Sequence, residues 1–271
     1  MGRITSGYTV IEVMIFLAIT GVLLASAMLV FNGRQRNTQF TQSVHELNSG
    51  IRDIINEVGS GYFPDSGNFS CSINPLGNVV INPSGSSPQG TNTQCIFVGK
   101  AIHFHADNYS VYTVVGRKQL NNRDVTSLEE ARPTVAADLT TTGTLIWGLR
   151  VDSMQLLRSS ERPDCPCDIG SIAFLQTLSK TTDETNPISG SQNVQMYPIE
   201  GVLVSEPDPN FGSVIQNNAV SGSLDREANP VGGLVICLSD GARKAAITLG
   251  GSGRQLSTET FFDGAIPQEC Q

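Results

Sequence analysis

The N-terminal part of the chain contains an almost unbroken apolar run from Tyr8 to Phe31, in which Glu12 is the only charged side chain. As a helix rising 1.5 Å per residue, this run would be roughly 36 Å long, and the hydrocarbon core of a bilayer is about 30 Å thick. A leader of residues 1–7 precedes it and contains one positive charge, on Arg3. The pattern therefore predicts a helix long enough to span a membrane.

The periodicity changes after the apolar run. Apolar side chains then recur at steps of three and four, the pattern of an amphipathic helix with one buried face. They are Phe40, Val44, Leu47, Ile51, Ile54 or Ile55, and Val58. Gly59, Gly61 and Pro64 supply a stop signal. We therefore expect one helix from about Thr9 to Val58, roughly 75 Å long.

Beyond residue 60 the pattern is that of short strands separated by loops. β-branched and aromatic residues favour strands, and they are concentrated at 79–81, 94–98, 101–105, 109–115, 144–151, 171–178, 196–204, 233–238 and 245–249. Asp107 and Asn108 predict a hairpin turn between two of these strands. Pro, Gly, Ser and Asn dominate three segments that are expected to be loops, at 82–93, 181–193 and 206–230. Residues 61–271 are therefore expected to be mostly β.

Composition and charge narrow the class of protein. The chain has 271 residues and a formal net charge of -8, so as a whole it does not attract nucleic acid or an anionic surface non-specifically. Its six cysteines all follow the apolar run, and an even number there indicates export and a disulfide framework. The motifs of phosphate-binding loops, serine hydrolases and zinc proteases are lacking, so we expect no catalytic activity and no cofactor.

The carboxylate of Glu12 is costly in an apolar helix. Insertion scales place an acidic residue near mid-helix at about +2.5 to +3.5 kcal/mol, and at less toward the end of the span. Such a residue is a functional hypothesis whose partner should be named. If the chain is cut after Gly7, Tyr8 gains a free amino group one helical turn from Glu12. In a bundle of identical helices, the amine of one chain can then neutralise Glu12 of its neighbour.

The residues Gly7-Tyr8-Thr9-Val10-Ile11-Glu12-Val13 resemble the cleavage and methylation motif of type IV prepilins, usually Gly followed by Phe-Thr-Leu-Ile-Glu. Tyr8 replaces the usual Phe and keeps an aromatic ring. The resemblance implies that a prepilin peptidase and methylase cleaves after Gly7 on the cytoplasmic face and N-methylates Tyr8. It also implies an N-terminus inside and a head outside, with other pilin subunits and an inner-membrane assembly platform as partners. Membrane lipid would surround the helix before assembly.

A secretory signal peptide is the alternative interpretation of the N-terminus. Ala25-Ser26-Ala27 fits an A-x-A cleavage site, with Val13–Leu24 as the apolar core. The n-region of such a signal would contain Glu12 as well as Arg3, and so would have little net positive charge. The apolar and then amphipathic pattern also continues through the supposed cleavage site. Pilin-type processing is therefore favoured.

A second resemblance lies near the C-terminus. Residues 235–249, followed by the Gly-Arg pair that ends at Arg254, look like the closing strands of FimT/GspH-type minor pilins. In that family a Gly-Arg-x-Arg turn follows these strands, and some members use its two arginines to hold DNA. Only the first of the two arginines is present in this chain. Arg243, Lys244 and Arg254 could form a small basic patch for phosphates. Solvated surface charge is the expectation, and DNA is disfavoured as a partner.

The pairing of the cysteines is open, because six cysteines allow 15 pairings. Cys71 with Cys95 would close the loop between them, and Cys237 with Cys270 would pin the C-terminal tail. Such a tail clamp resembles the C-terminal disulfide loop of many pilins.

Three further clusters contain ligand-type side chains. In the loop Cys165-Pro-Cys167, a structural disulfide, between these two or to other cysteines, is expected rather than a metal site, since no second Cys pair or nearby His completes zinc ligation. His103, His105 and Asp107 alternate on one strand face, where surface or edge-strand histidines are expected. Residues 206–212 place oxygen ligands at alternate positions but lack the Gly and terminal Glu of an EF-hand. No metal site is therefore expected.

The sequence thus predicts an α+β fold. A leader, 1–7, precedes a long N-terminal α-helix with a transmembrane half, 8–31, and an amphipathic half, 32–60, which packs on an antiparallel β-sheet head, 61–271. The expected function is that of a minor type IV pilin, which polymerises through its N-terminal helix into a surface filament. The alternative is a pseudopilin of a type II secretion or DNA-uptake machine, whose head binds cargo or DNA.

Overall fold

The computed structural model describes residues 9–61, 70–75, 77–82, 94–157, 169–178, 194–199, 204, 211–220, 233–250 and 256–270. The chain divides into two compact units, Met1–Gln42 and Ser43–Gln271. Every described strand belongs to the second unit. The fold is α+β, with an N-terminal apolar helix followed by antiparallel β-sheets.

The N-terminal helix, α1, runs from Val10 to Ser60, close to the range that the hydrophobic pattern predicts. Thr9 precedes it, and its carbonyl and hydroxyl oxygens accept hydrogen bonds from the N–H of Glu12 at 3.1 and 3.3 Å. At the other end Gly61 has a φ of 67°, and its N–H donates to the carbonyl of Val58 at 3.1 Å. Glycine adopts positive φ at little cost, which explains why the helix stops at this predicted signal.

In the described residues, thirteen strands and two shorter α-helices follow α1. In chain order the strands are β1 (Ser70–Ile73), β2 (Val79–Asn82), β3 (Cys95–Phe104), β4 (Asn108–Arg117), β5 (Gln119–Leu120), β6 (Arg123–Asp124), β7 (Thr134–Thr144), β8 (Arg150–Leu156), β9 (Ser171–Gln176), β10 (Val194–Ile199), β11 (Leu234–Ser239), β12 (Lys244–Gly250) and β13 (Ser257–Phe262). The helices are α2 (Leu128–Ala131) and α3 (Phe211–Val220), and two 3₁₀ turns cover Asp263–Ala265 and Gln268–Cys270.

The strands form two main antiparallel sheets. The larger has the order β10-β9-β3-β4-β7, and the smaller has the order β13-β12-β11-β8. β1 pairs with β2 and β5 pairs with β6 as separate two-stranded hairpins. The central strands β9 and β11 are buried over nearly their whole length, so the core lies on both faces of these strands.

The part of α1 inside the second unit buries the predicted apolar stripe. Val44, Leu47, Ile51, Ile54 and Val58 are all buried, at steps of three and four along the helix. Ile55, which the sequence pattern offered as the alternative to Ile54, is only half-buried. The amphipathic pattern thus correctly predicts which face of the helix packs against the core.

Polar contacts attach the end of α1 to both sheets. Glu57 forms a salt bridge with Lys100 of β3, and the carbonyl of Val58 accepts a hydrogen bond of 2.7 Å from the buried Gln176 side chain of β9. On the smaller sheet, the guanidinium of Arg52 donates to the hydroxyl and the carbonyl oxygen of Thr258 in β13. Because the last bond occupies a carbonyl of an edge strand, it also covers part of an exposed sheet edge.

The structure departs from the predicted strands in several places. The segments 94–98 and 101–105 form one strand, β3, with a register shift between Phe97 and Gly99. The predicted strand 144–151 is wrong: Trp147 and Gly148 have φ of 53° and 76°, and the chain turns between β7 and β8. The predicted loop 206–230 contains helix α3. The pattern does not predict β1, β5, β6, β7 or β13.

We expect Gln176→Ala to lower the free energy of unfolding by about 1–2 kcal/mol, because the substitution leaves a buried helix-end carbonyl without one of its donors. Unfolding of the full chain in detergent, followed by circular dichroism, would measure this. Gln119→Ala is the matched control, since Gln119 is exposed and its loss should change stability by about 0.5 kcal/mol or less. Equal effects of the two substitutions would contradict the role given to Gln176.

Candidate functional site

The first candidate site is the exposed part of α1. Val10–Met28 is a helical segment long and apolar enough to cross a membrane, and none of it is buried in the structure. Its largest side chains are more than half exposed, among them Ile11, Met14, Phe16, Leu17 and Leu23. Apolar surface of this extent exceeds what soluble monomers leave in water. The segment thus has the length and the apolar surface of a membrane-spanning helix.

The uncharged polar side chains of this segment are satisfied within the helix itself. The Thr20 hydroxyl donates to the carbonyl of Phe16 at 2.8 Å, and the Ser26 hydroxyl donates to the carbonyl of Val22 at 2.8 Å. Such back-bonding removes the cost of a hydroxyl in an apolar environment. These residues need no outside partner, and the segment differs from an ordinary membrane helix only at Glu12.

Glu12 lies in the first turn of α1. A negative charge at the N-terminal end of a helix is favoured by the helix dipole, by about 0.3–1 kcal/mol. No cation forms a salt bridge with its carboxylate among the residues from Thr9 onward that the structure describes. Its predicted partner is the amino group of Tyr8, and both Gly7 and Tyr8 lie outside the described residues.

The three residues of the candidate basic patch are only partly described. Arg243 lies in the turn between β11 and β12, where its guanidinium forms a salt bridge with Asp240. Lys244 is exposed, and its ammonium donates to the carbonyl of Cys270 at 3.4 Å. Arg254 lies outside the described residues. The charge of Arg243 is thus neutralised inside the turn, which leaves it poorly placed to hold a phosphate.

Asp240 organises this turn. Its carboxylate accepts hydrogen bonds from the N–H groups of Ala242 and Arg243 at 3.1 and 2.8 Å, and from the Arg243 side chain. Burial acts to raise the pKa of the Asp240 carboxyl, but the hydrogen bonds from Arg243 and Ala242 outweigh it, so this pKa lies below its ordinary value. The arrangement is an Asx turn strengthened by an ion pair.

Four of the six cysteines form two disulfides. Cys71 of β1 bonds Cys95 of β3, and Cys237 of β11 bonds Cys270 in the last 3₁₀ turn. These are the two pairings named from the sequence. Cys165 and Cys167 lie outside the described residues.

The histidines correct one expectation. His103 is completely buried on β3, the middle strand of the larger sheet, so the expectation of a surface or edge strand is wrong. Its Nδ1 lies 2.8 Å from the hydroxyl of Ser171 and 3.2 Å from the carbonyl of Gly170. In the part of the chain that the structure describes, no three His, Cys, Asp or Glu side chains come together as metal ligands. Most of segment 206–212 lies outside that part.

Sequence reasoning missed a second candidate site, on the surface of the second unit. Trp147 is 47 % exposed at the tip of the turn between β7 and β8, beside a groove lined by Glu46 and Tyr109. Trp-Gly is not one of the dipeptides that typically mark a tight turn. Gly148 was therefore the only local signal in the sequence for this turn.

Comparison with models of protein families, with curated proteins and with solved structures finds no match.

We expect Arg243→Ala to destabilise the head by about 0.5–1 kcal/mol and to leave affinity for DNA unchanged, because Arg243 is used inside its own turn. The stabilisation by the pair is present above the ordinary pKa of Asp240, near 3.8, and is lost as pH falls through the lower pKa of the folded state. Melting temperatures of wild type and variant should therefore converge below pH 3.8. A salt-dependent loss of DNA binding in the variant, with unchanged melting, would contradict this.

Proposed function

We propose that this chain is a minor pilin of the type IV pilus class, a structural subunit that polymerises through its N-terminal helix into a surface filament. The observation that supports the proposal is the exposed apolar helix with one carboxylate, Glu12, in its first turn. A disulfide-containing α+β unit follows that helix. The resemblance of residues 7–13 to the prepilin motif supplies the class.

In the proposed mechanism the apolar helix first anchors the precursor in the cytoplasmic membrane. Charge counting does not orient it, because Arg34 and Arg36 follow the span and only Arg3 precedes it. The orientation with the N-terminus inside and the head outside therefore comes from the prepilin resemblance. A prepilin peptidase cleaves after Gly7 and creates the amino group of Tyr8, which is then methylated and remains cationic.

Assembly follows from the charge that cleavage creates. A carboxylate in lipid carries a large desolvation cost, and a cation brought within hydrogen-bond distance offsets that cost. The Tyr8 amine of a neighbouring copy supplies that cation only when helices lie side by side. The pair thus stabilises the bundle relative to the separate helix and fixes the stagger between neighbours.

A pseudopilin of a secretion or DNA-uptake machine would share this helix chemistry. It would differ in the head, which would bind cargo or DNA. The pairing of Arg243 with Asp240 removes the main argument for DNA, so we favour the pilus subunit.

The mature N-terminus tests the processing step. Mass spectrometry of the native chain is expected to give methylated Tyr8 as the first residue, and Gly7→Ser should leave the leader attached, because small glycine fits the peptidase where a larger side chain does not. Ser6→Ala, a change of similar size beside the cut, should be processed normally. A chain that begins at Met28 would identify a secretory signal instead, and retention of Met1 would exclude cleavage.

We expect Glu12→Val to be cleaved normally and to reduce incorporation into filaments by more than tenfold, since the lost pair is worth more than about 1.4 kcal/mol. Immunoblots of sheared filaments against whole cells would measure the ratio. Thr20→Val is the matched control, because it also removes a polar group from the span, but one that bonds only its own helix. Normal yield from Glu12→Val would refute the pairing.

A further inference from the structure

The turn between β7 and β8 is built around an unfavourable residue. Trp147 and Gly148 both have positive φ, and the N–H of Leu149 donates to the carbonyl of Ile146 at 3.2 Å. Two positive φ values at the centre of a two-residue turn are the type I′ pattern, which Asn, Asp and Gly favour. A bulky aromatic side chain at the first position is a genuine outlier. Something other than local folding preference accounts for Trp147.

Burial does not compensate for this strain, because Trp147 is 47 % exposed. Among the described residues of the second unit, Val80 is the only other large apolar side chain counted as exposed, at 37 %. Backbone strain together with an exposed aromatic is typical of binding surfaces, where Trp is enriched among the residues that dominate affinity.

The turn is also held rigidly. On its N-terminal side the N–H of Leu145 donates to the carbonyl of Asp107 at 2.9 Å, and on its C-terminal side the N–H of Val151 donates to the carbonyl of Ala106 at 2.9 Å. The hydroxyl of Ser43 in α1 donates to the carbonyl of Ile146 at 3.0 Å. The backbone that carries the indole is therefore fixed, and little backbone entropy is lost when a partner covers the turn.

A groove of about 40 Å³ lies beside the turn. We call it the Glu46 groove; one wall is Ser43, Glu46 and Leu47 of α1, and the other includes Tyr109, Thr144 and Ile146. Glu46 is exposed and forms no salt bridge with any residue that the structure describes. Burial, and next the Glu46 carboxylate, raises the pKa of the Tyr109 phenol. A carboxylate beside an aromatic ring is the chemistry that binds a cationic side chain, and Trp147 directly follows Ile146 of the groove wall.

Suitable cations are present in the chain itself. Arg34 and Arg36 are exposed on α1, and neither takes part in a salt bridge within the described residues. They follow directly the segment that the proposed function places in the filament core. The guanidinium of Arg stacks on aromatic faces and pairs with carboxylates, so it complements the Glu46 groove better than Lys would.

We propose that the Glu46 groove and Trp147 form a docking site for Arg34 or Arg36 of a second copy of this chain. The guanidinium pairs with Glu46 and lies against the indole of Trp147, so that each head contacts the helix of a neighbour. The inference rests on the proposed function, since it requires assembly of copies. It adds a head-to-helix contact to the helix-to-helix contact made by Glu12.

Charge exchange in the full chain tests the site. Glu46→Arg, Arg34→Glu and Arg36→Glu are made singly, and Glu46→Arg is combined with each arginine reversal. The reversal at Glu46 and that at the docking arginine are each expected to reduce filament incorporation about three- to tenfold, and one of the two combinations should restore it. Glu129→Arg and Lys118→Glu are the matched controls, because both side chains are exposed and outside the groove. Failure of both combinations to restore incorporation overturns the proposal.

The single tryptophan of the chain gives an independent measurement. On assembly, the fluorescence of Trp147 should shift to shorter wavelength and become protected from acrylamide. Trp147→Asn should raise the melting temperature of the unassembled chain, because Asn suits the type I′ turn, yet reduce incorporation about three- to tenfold. An increase in stability with unchanged incorporation would show that Trp147 contacts nothing in the assembly and would overturn the proposal.

Failure of this inference can be distinguished from failure of the proposed function. If Glu12→Val reduces incorporation but the charge exchange has no effect, the filament function stands and the docking site is wrong. If neither has an effect, the assembly proposal itself fails. A photo-reactive residue at position 147 should cross-link to residues 34–36 of a second copy, identified by mass spectrometry, and exclusive cross-linking to lipid would overturn the proposal.

Discussion

A carboxylate in an otherwise apolar helix is the constraint on which the rest depends. Without Glu12, Val10–Met28 would be satisfied by lipid alone, because its hydroxyl groups bond their own helix. With Glu12, the helix has one group that lipid cannot satisfy. A single helix could therefore enter a membrane only at a cost, and in the proposed function a cation supplied by a neighbouring copy would remove that cost. Under that proposal, one side chain makes the apolar helix an assembly element as well as an anchor.

The second unit is built to hold the other end of the same helix. Its apolar stripe from Val44 to Val58 is buried, and polar contacts from both sheets reach the final turns. These contacts use residues from β3, β9 and β13, which are far apart in the sequence. The helix end is thus a component of the head's core, and displacement of the helix would expose both sheets together.

The sequence predicts the elements whose signals are local and misses those that depend on tertiary contacts. The length of α1 follows from two successive hydrophobic patterns and a glycine stop, and the burial of its stripe follows from the 3.6-residue period. The strand predicted over 144–151 is wrong because β-branched and aromatic residues suggested a continuous strand, whereas Trp147 and Gly148 turn the chain. β7 is missed because a Thr-rich strand with a register shift opposite Val111–Thr113 has no alternating apolar pattern. The buried state of His103 depends on β3 lying between β4 and β9, which no local pattern reveals.

Glu12 could be identified as a candidate from the sequence, because a charge in an apolar run is visible without any structure. The groove beside Trp147 could not, because its walls come from α1, from β4 and from the turn after β7. Similarly, the salt bridge between Arg243 and Asp240 depends on the geometry of the turn between β11 and β12. Charged side chains can be counted in a sequence, but their partners are set by the fold.

The two disulfides have a mechanical consequence. Both lie entirely C-terminal to α1, and they close separate stretches of 24 and 33 residues. A pulling force along α1 would reach the sheets through its packed contacts and through the backbone that follows Ser60. Even after the sheets gave way, the closed loops would withhold about 190 Å of chain from extension, at roughly 3.3 Å per residue. A strained subunit would therefore stretch far less than its length in residues suggests.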